Sequence, residues 1–171
     1  MSLILNFETS SKNCSVALST EGKLISNFDL EDDKYRHSEL LTSTIKDILV
    51  QNNISAKDLS AVAIGIGPGS FTGLRIGFSV AKGLCYPHKI NLIGISSLKI
   101  LANSIKADSG DIVSMINDKG NFYYLSTFED KLNEVGNPIL EQVDPNFIKK
   151  YIKDGSTIVV NSEDSFNYIS T

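Results

Sequence analysis

The stretch Ala61–Leu84, AVAIGIGPGSFTGLRIGFSVAKGL, decides the fold of this chain. It begins with an apolar run, Ala61–Ile66, passes through the glycine-rich segment Gly65–Gly69, and continues from Ser70 with residues that favour a helix. This order predicts a strand, a tight turn and a helix. Because the amino-terminal end of a helix carries partial positive charge and free N–H groups, a phosphate or carboxylate group would be stabilised at this turn.

The glycine spacing of the turn matches neither of the common phosphate-binding motifs. No Lys-Ser or Lys-Thr pair follows the glycines, as in a Walker A loop, and the spacing also differs from the dinucleotide motif G-x-G-x-x-G. Two interpretations therefore stay open. The turn binds an anion through Gly67, Gly69 and Ser70, or it needs glycine for its backbone geometry alone.

The predicted helix also carries a stripe of small residues. Every fourth position is occupied by Gly69, Gly73, Gly77 and Ala81. A neighbouring apolar stripe contains Leu74, Phe78, Ala81 and Leu84. An interior glycine costs a helix about 0.5–1 kcal/mol relative to alanine, so the glycines indicate close approach of another backbone. That backbone belongs either to the sheet of the same domain or to a helix of another subunit.

Length and composition set broad limits on function. A chain of 171 residues fits one large domain or two small ones. Its net charge of -4 argues against binding of nucleic acid without a basic partner. No apolar run reaches the roughly 20 residues of a membrane span, and residues 1–7 do not resemble a signal peptide. Cys14 and Cys85, the only cysteines, have no pairing or metal-ligand spacing. We expect a cytoplasmic chain with reduced thiols and no membrane contact.

The first 30 residues predict an antiparallel meander. Its three strands are Leu3–Phe7, Cys14–Ser19 and Lys23–Leu30. The first turn is rich in hydroxyl groups and contains a carboxylate. It is either an ordinary polar hairpin turn or a binding site for phosphate groups. The candidate phosphate-binding residues in this turn are Glu8, Thr9, Ser10 and Ser11.

An amphipathic helix follows the meander, with Ser38 as its N-cap. Its apolar stripe consists of Leu41, Ile45, Ile48 and Leu49. His37, at the start of this helix, could serve in acid–base or metal chemistry, or it could lie at the surface or at an interface. We reject the metal, because the only other histidine is His88 and no pair has metal-ligand spacing. The sequence therefore predicts no metal site.

The remaining sequence predicts a division into two subdomains. Residues 1–107 have the pattern β-β-β-α-β-α-β-α, and the polar segment Asp108–Asp111 is the candidate boundary. Residues 108–171 predict a smaller, shortened second subdomain with a hairpin, a short helix at Pro145–Ile152 and a last strand at Ile158–Val160. The stretch Leu132–Leu140 is compatible with a loop or an edge strand.

Four stretches together resemble one family. They are Ile4–Leu18 (ILNFETSSKNCSVAL), Arg36–Leu41 (RHSELL), Gly67–Gly77 (GPGSFTGLRIG) and Gly94–Leu98 (GISSL). Their order and spacing are similar to those of the TsaB (YeaZ) family. The resemblance implies the actin-like ATPase fold (sugar kinase/heat-shock ATPase, ribonuclease H-like), an α/β fold of two subdomains with mixed sheets. In proteins of this fold, a hairpin at the place of the Glu8–Asn13 turn binds phosphate.

The resemblance also implies a function and partners. Members of this family help to add the threonylcarbamoyl group to the adenosine beside the anticodon of tRNAs that read ANN codons. They are non-catalytic companions of the transferase TsaD, joined by the ATPase TsaE, and pair as homodimers when alone. We therefore expect no catalytic residue here, only indirect contact with tRNA, and no cofactor required by the chain alone, although ATP or ADP with magnesium could lie at an interface.

In this family the first two helices pair with those of the partner in a helical bundle. The residues that would then form the partner interface are His37, Leu41, Ile45, Gly73, Leu74, Gly77, Phe78 and Ala81. On this interpretation, Gly77→Leu should abolish binding to TsaD and leave the fold intact. The sequence departs from the family pattern at Glu8, where aspartate is usual, and in its length, since members usually exceed 200 residues.

Two other functions fit the sequence less well. An ATP-dependent phosphotransferase of the same fold would use Glu8 or Asp118 as its carboxylate and would place phosphates near Thr9–Asn13 and Gly67–Gly69. A glycoprotease-like peptidase would need a Ser-His-Asp set or a pair of metal ligands, and the sequence offers neither in a convincing arrangement.

Overall fold

The computed structural model describes residues 2–31, 37–105, 110–129, 132–144, 147 and 150–161, with the side chains of 30, 31 and 37–39 outside the description. The chain forms two structural units, Met1–Ile95 and Ser96–Thr171. The boundary therefore lies between Ile95 and Ser96 instead of at the predicted 107/108 position. The predicted third helix of the first subdomain belongs to the second unit, because its apolar residues pack on the second sheet.

The first unit is built on a mixed five-stranded sheet. Its strands and helices are β1 (Leu3–Glu8), β2 (Asn13–Thr20), β3 (Lys23–Glu31), α1 (His37–Gln51), a 3-10 helix (Ala56–Asp58), β4 (Ala61–Gly65), α2 (Phe71–His88) and β5 (Asn91–Ile95). The order across the sheet is β3-β2-β1-β4-β5. The meander β1–β3 is antiparallel, whereas β4 and β5 run parallel to β1. The sequence predicted all of these strands and both helices, although α1 begins at His37 and so includes Ser38, the predicted N-cap.

Hydrophobic periodicity explains how these elements meet. In β2 the buried residues alternate, and Cys14, Val16 and Leu18 face the core. In the central strand β4 all five residues are buried, as expected for a parallel strand covered on both faces. The apolar stripe of α1 joins the same core; its members are Leu41, Ile45, Ile48 and Leu49.

Helix α2 has clear signals at both ends. The hydroxyl of Ser70, its N-cap, accepts a hydrogen bond from the N–H of Gly73 at 3.3 Å. Lys89 ends the helix in the left-handed conformation, with φ of 54°. Because β4 ends at Gly65 and the helix begins at Phe71, the glycine-rich segment is the direct connection between them.

The second unit contains a four-stranded mixed sheet. Its elements are α3 (Ser97–Asn103), β6 (Ile112–Asn117), β7 (Phe122–Glu129), β8 (Asn133–Gln142) and β9 (Thr157–Val160), and the sheet order is β8-β7-β6-β9. Alternate residues of β6 face two hydrophobic clusters: Ile112 and Ile116 pack with Leu98 of α3, and Val113 and Met115 with the other cluster.

The structure describes part of the elements predicted for the end of the chain. The stretch predicted as a loop or edge strand forms β8, which lies at the edge of its sheet. The predicted strand Ile158–Val160 is part of β9. Only residues 147 and 150–152 of the predicted helix Pro145–Ile152 are described. The sequence also predicts a short closing segment at Glu163–Ile169, which lies outside the described residues. Within the ranges that the structure describes, no helix is long and apolar enough to cross a membrane.

The buried thiol of Cys14 provides a test of the core. Burial, together with the negative charge of Asp29, raises the pKa of this thiol to about 11, above the 9.0 of an exposed cysteine. Because the pKa of the thiol is higher in the folded state, its contribution to the free energy of unfolding is fully present below pH 9. That contribution is lost as the pH rises through 11. We expect ionisation of the thiol to lower the free energy of unfolding by up to about 2.7 kcal/mol over this range.

Urea unfolding of the wild type and of Cys14→Ala at pH 8, 9.5 and 11 measures this contribution. The free energy of unfolding of the wild type should fall more steeply with pH than that of the variant, in which the other titrating groups remain. Parallel curves for the two proteins would show that the thiol does not change its environment on unfolding.

Candidate functional site

The turn between β1 and β2 is organised around the carboxylate of Glu8. One of its oxygens, Oε1, accepts hydrogen bonds from the backbone N–H groups of Thr9 at 2.8 Å and Ser10 at 2.7 Å. Both Thr9 and Ser10 are buried. A carboxylate that accepts two backbone N–H groups is held by charge-assisted hydrogen bonds, which are stronger than neutral ones.

The glycine-rich segment closes directly over this turn. The N–H of Ser70 donates to the carbonyl oxygen of Ser10 at 2.6 Å. A Cβ atom at Gly69 would overlap the same carbonyl, and one at Gly65 would overlap Oε2 of Glu8. Glycine is therefore required at these two positions because the β1–β2 turn lies against the bare backbone.

The structure brings most of the predicted phosphate-binding residues together. The Glu8–Ser10 turn meets Gly69 and Ser70, whereas the hydroxyl of Ser11 accepts a hydrogen bond from the N–H of Asn13 at 3.2 Å. The nearest contact of the Gly67 position is Leu74. However, the backbone N–H groups of Thr9, Ser10 and Ser70 already donate to protein oxygens. With these donors occupied, the turn does not fit the phosphates of ATP or ADP with magnesium, and ATP or ADP with magnesium at an interface stays a prediction.

The small-residue stripe of α2 faces the interior of its own unit. Gly73, Gly77 and Ala81 are buried. The hydroxyl of Thr9 donates to the carbonyl oxygen of Gly73 at 2.9 Å, and a Cβ atom at Gly77 would lie 2.6 Å from that hydroxyl oxygen. The close approach is thus made within the chain, which corrects the expectation that these residues meet another subunit. Gly77→Leu would disturb the fold instead of leaving it intact.

The other predicted interface residues differ in exposure. Leu41 is buried in the core of the unit, with an exposure of 0%, so it does not offer a surface for docking, and Ile45 is 4% exposed. Leu74 and Phe78 are half-buried. The side chain of His37 lies outside the described residues. The apolar positions of these helices therefore serve first to hold α1 and α2 on their own sheet.

An apolar groove nevertheless remains open between the two helices. Its volume is about 350 Å³. It is lined by Thr42, Ile45, Lys46, Leu49, Val50, Ile54, Val80 and Leu84. Val50 at its edge is 65% exposed. Sequence reasoning missed most of these residues, although Val80 and Leu84, one helical turn apart beside the glycine stripe, were a usable signal.

The described residues do not form a metal centre. Among residues 2–31, 37–105, 110–129 and the later described positions, no group of three or more His, Cys, Asp or Glu side chains is arranged to hold a metal ion. The cysteines Cys14 and Cys85 are both free and buried, and burial raises the pKa of each thiol. Neither thiol has the low pKa of a reactive nucleophile.

Known proteins are similar to this chain in sequence. A family model described as "TsaD: tRNA N6-adenosine threonylcarbamoyltransferase" matches residues 31–149. The TsaB protein of Escherichia coli (strain K12), named for tRNA threonylcarbamoyladenosine biosynthesis, is 36% identical over 107 residues, which cover 63% of this chain and 46% of that protein. TsaB of Bacillus subtilis (strain 168) is 30% identical over 143 residues, covering 84% of this chain and 60% of the relative.

The solved structures agree with these relatives. YeaZ from Pseudomonas aeruginosa superposes with a TM-score of 0.77 at 25% sequence identity, over 85% of this chain and 70% of the other. The meander β1–β3, extended by parallel β4 and β5 and followed by a second mixed sheet, is an actin-like ATPase fold. The chain belongs to the TsaD family of this model and, within it, to the TsaB (YeaZ) family. It spans about half the length of the curated relatives that it matches.

Proposed function

We propose that this chain takes part in the synthesis of threonylcarbamoyladenosine in tRNA as a docking subunit that does not itself carry out the transfer. The observation that carries the proposal is the apolar groove between α1 and α2. The names of the TsaB relatives supply the pathway, and the transferase described by the matching family model supplies the partner, TsaD.

The groove suits a partner helix for physical reasons. Its walls are mostly aliphatic side chains of two helices, and Lys46 adds a charged group among them. An amphipathic helix binds such a groove by placing apolar residues between the two helices, and burial of apolar area contributes about 25 cal/mol per Å². The residues below the groove, Ile45 and Leu49, belong to the core, so the groove is held in shape before a partner binds.

A second copy of the chain and TsaE are the other expected partners. A second copy of the chain would use the same groove to form a symmetrical homodimer, because an isologous interface pairs one patch with itself. The homodimer and the complex with TsaD would then exclude each other, and TsaE would join the second. The net charge of -4 favours tRNA contact through a partner instead of through this chain.

Val50→Asp tests the proposal. Because Val50 is exposed at the edge of the groove, the fold should tolerate the change, whereas the carboxylate would be desolvated when a partner covers it. We expect the affinity for TsaD of the same organism to fall about tenfold or more. Modification of tRNA in a reconstituted assay should fall in parallel.

Val135→Asp is the matched control. Val135 is 46% exposed on β8 of the second unit and does not line the groove, so the same substitution adds the same charge at a position outside its lining. This variant should bind TsaD as the wild type does. Equal binding by both variants, with thermal unfolding unchanged, would rule out the groove as the docking surface.

A further inference from the structure

We propose that the carboxylate of Glu8 is a built-in ligand of the β1–β2 turn and keeps phosphate groups out of it. The turn directs two consecutive backbone N–H groups, those of Thr9 and Ser10, at one point. Consecutive N–H groups that converge in this way form a concavity that binds anions. In this chain the anion is supplied by the side chain of the residue immediately before the turn.

The surroundings hold the carboxylate in this position. Its second oxygen, Oε2, lies against the backbone of Gly65 at the end of β4, where a Cβ atom would overlap it. The carbonyl oxygen of Ser10 accepts the N–H of Ser70, so the first part of α2 covers the far side of the turn. The packing of two strands and a helix thus leaves a space that the carboxylate itself occupies.

The length of the side chain matters for this arrangement. Glu8 is the last residue of β1, and its side chain turns back to the N–H groups of the next two residues. An incoming phosphate would have to displace a hydrogen-bond acceptor that is covalently attached and therefore always present. The turn thus holds an internal ligand in place of an external anion, at the point where β1 meets the end of β4 and the start of α2. This inference does not depend on the proposed docking function.

Nuclear magnetic resonance of the isotope-labelled chain tests the inference, with inorganic phosphate as the probe. In the wild type the amide signals of Thr9 and Ser10 should not respond to phosphate. In Glu8→Ala the same two signals should shift, with an affinity at least tenfold above that of the wild type. Asp47→Ala, which removes one charge from an exposed position of α1, should behave as the wild type does.

Glu8→Gln separates the hydrogen bonds from the charge. Its amide oxygen can still accept from both N–H groups, so this variant should remain closed to phosphate. Phosphate-dependent shifts of Thr9 and Ser10 in the wild type would overturn the inference, whether or not Glu8→Ala folds. A folded Glu8→Ala that gains no affinity would overturn it too.

Discussion

Replacing Gly73 with alanine is expected to lower the free energy of unfolding by about 4 kcal/mol or more, which would make it one of the rare, severe single substitutions. The new methyl group would overlap the carbonyl oxygen of Thr9, which is a backbone atom and cannot move aside alone. Helix α2 would have to withdraw from the β1–β2 turn. That movement would break the hydrogen bonds from Thr9 to Gly73 and from Ser70 to Ser10.

The same helix contains its own control. Gly83 is exposed, and a Cβ atom there meets nothing within 4 Å. Gly83→Ala should therefore raise the stability by about 0.5–1 kcal/mol through helix propensity alone. Urea unfolding followed by circular dichroism measures both variants. Similar effects of the two substitutions would mean that α2 does not lie as close to the turn as described here.

Gly65→Ala is expected to cost about 3–5 kcal/mol for a different reason. Its methyl group would overlap the end of the Glu8 side chain, which can rotate away. Rotation abandons the hydrogen bonds that the carboxylate accepts from Thr9 and Ser10, and bonds to charged groups are each worth about 1.5–3 kcal/mol. The buried N–H groups would be left without an acceptor.

A double-mutant cycle with Glu8→Ala identifies this cause. When Glu8 is already alanine, the substitution at Gly65 removes no further hydrogen bond, so the double variant should be only slightly less stable than Glu8→Ala. The coupling free energy should therefore reach about 3 kcal/mol, most of the cost of Gly65→Ala in the wild type. Strict additivity would show that Gly65 is needed for something other than room for the carboxylate.

The site was only partly predictable from the sequence, and the glycine stripe shows why. The spacing of Gly73 and Gly77 correctly predicted that another backbone approaches α2, because only close approach explains two interior glycines. The resemblance favoured a helix of another subunit as that backbone, and this interpretation was wrong. The neighbour is Thr9, which is 64 residues from Gly73 in the chain, and no local pattern marks such a pair.

The two helices illustrate the same limit. The periodicity of Leu41 and Ile45 predicted an apolar face, and the face exists. A periodic stripe does not say whether the face is covered by the same chain or by a partner. Here the stripe is covered by the sheet, and the open groove lies at its margin, at residues such as Val50 and Val80.

By itself the sequence determined the order of strands and helices in the first unit and the family, because periodicity and motif spacing are properties of neighbouring residues. Only the tertiary structure decided that the carboxylate of Glu8 occupies the β1–β2 turn, that the stripe of α2 packs against Thr9, and that α3 belongs to the second unit. The physical reason is that burial and hydrogen-bond partners depend on which distant segments of the chain come into contact, and the whole fold determines those contacts.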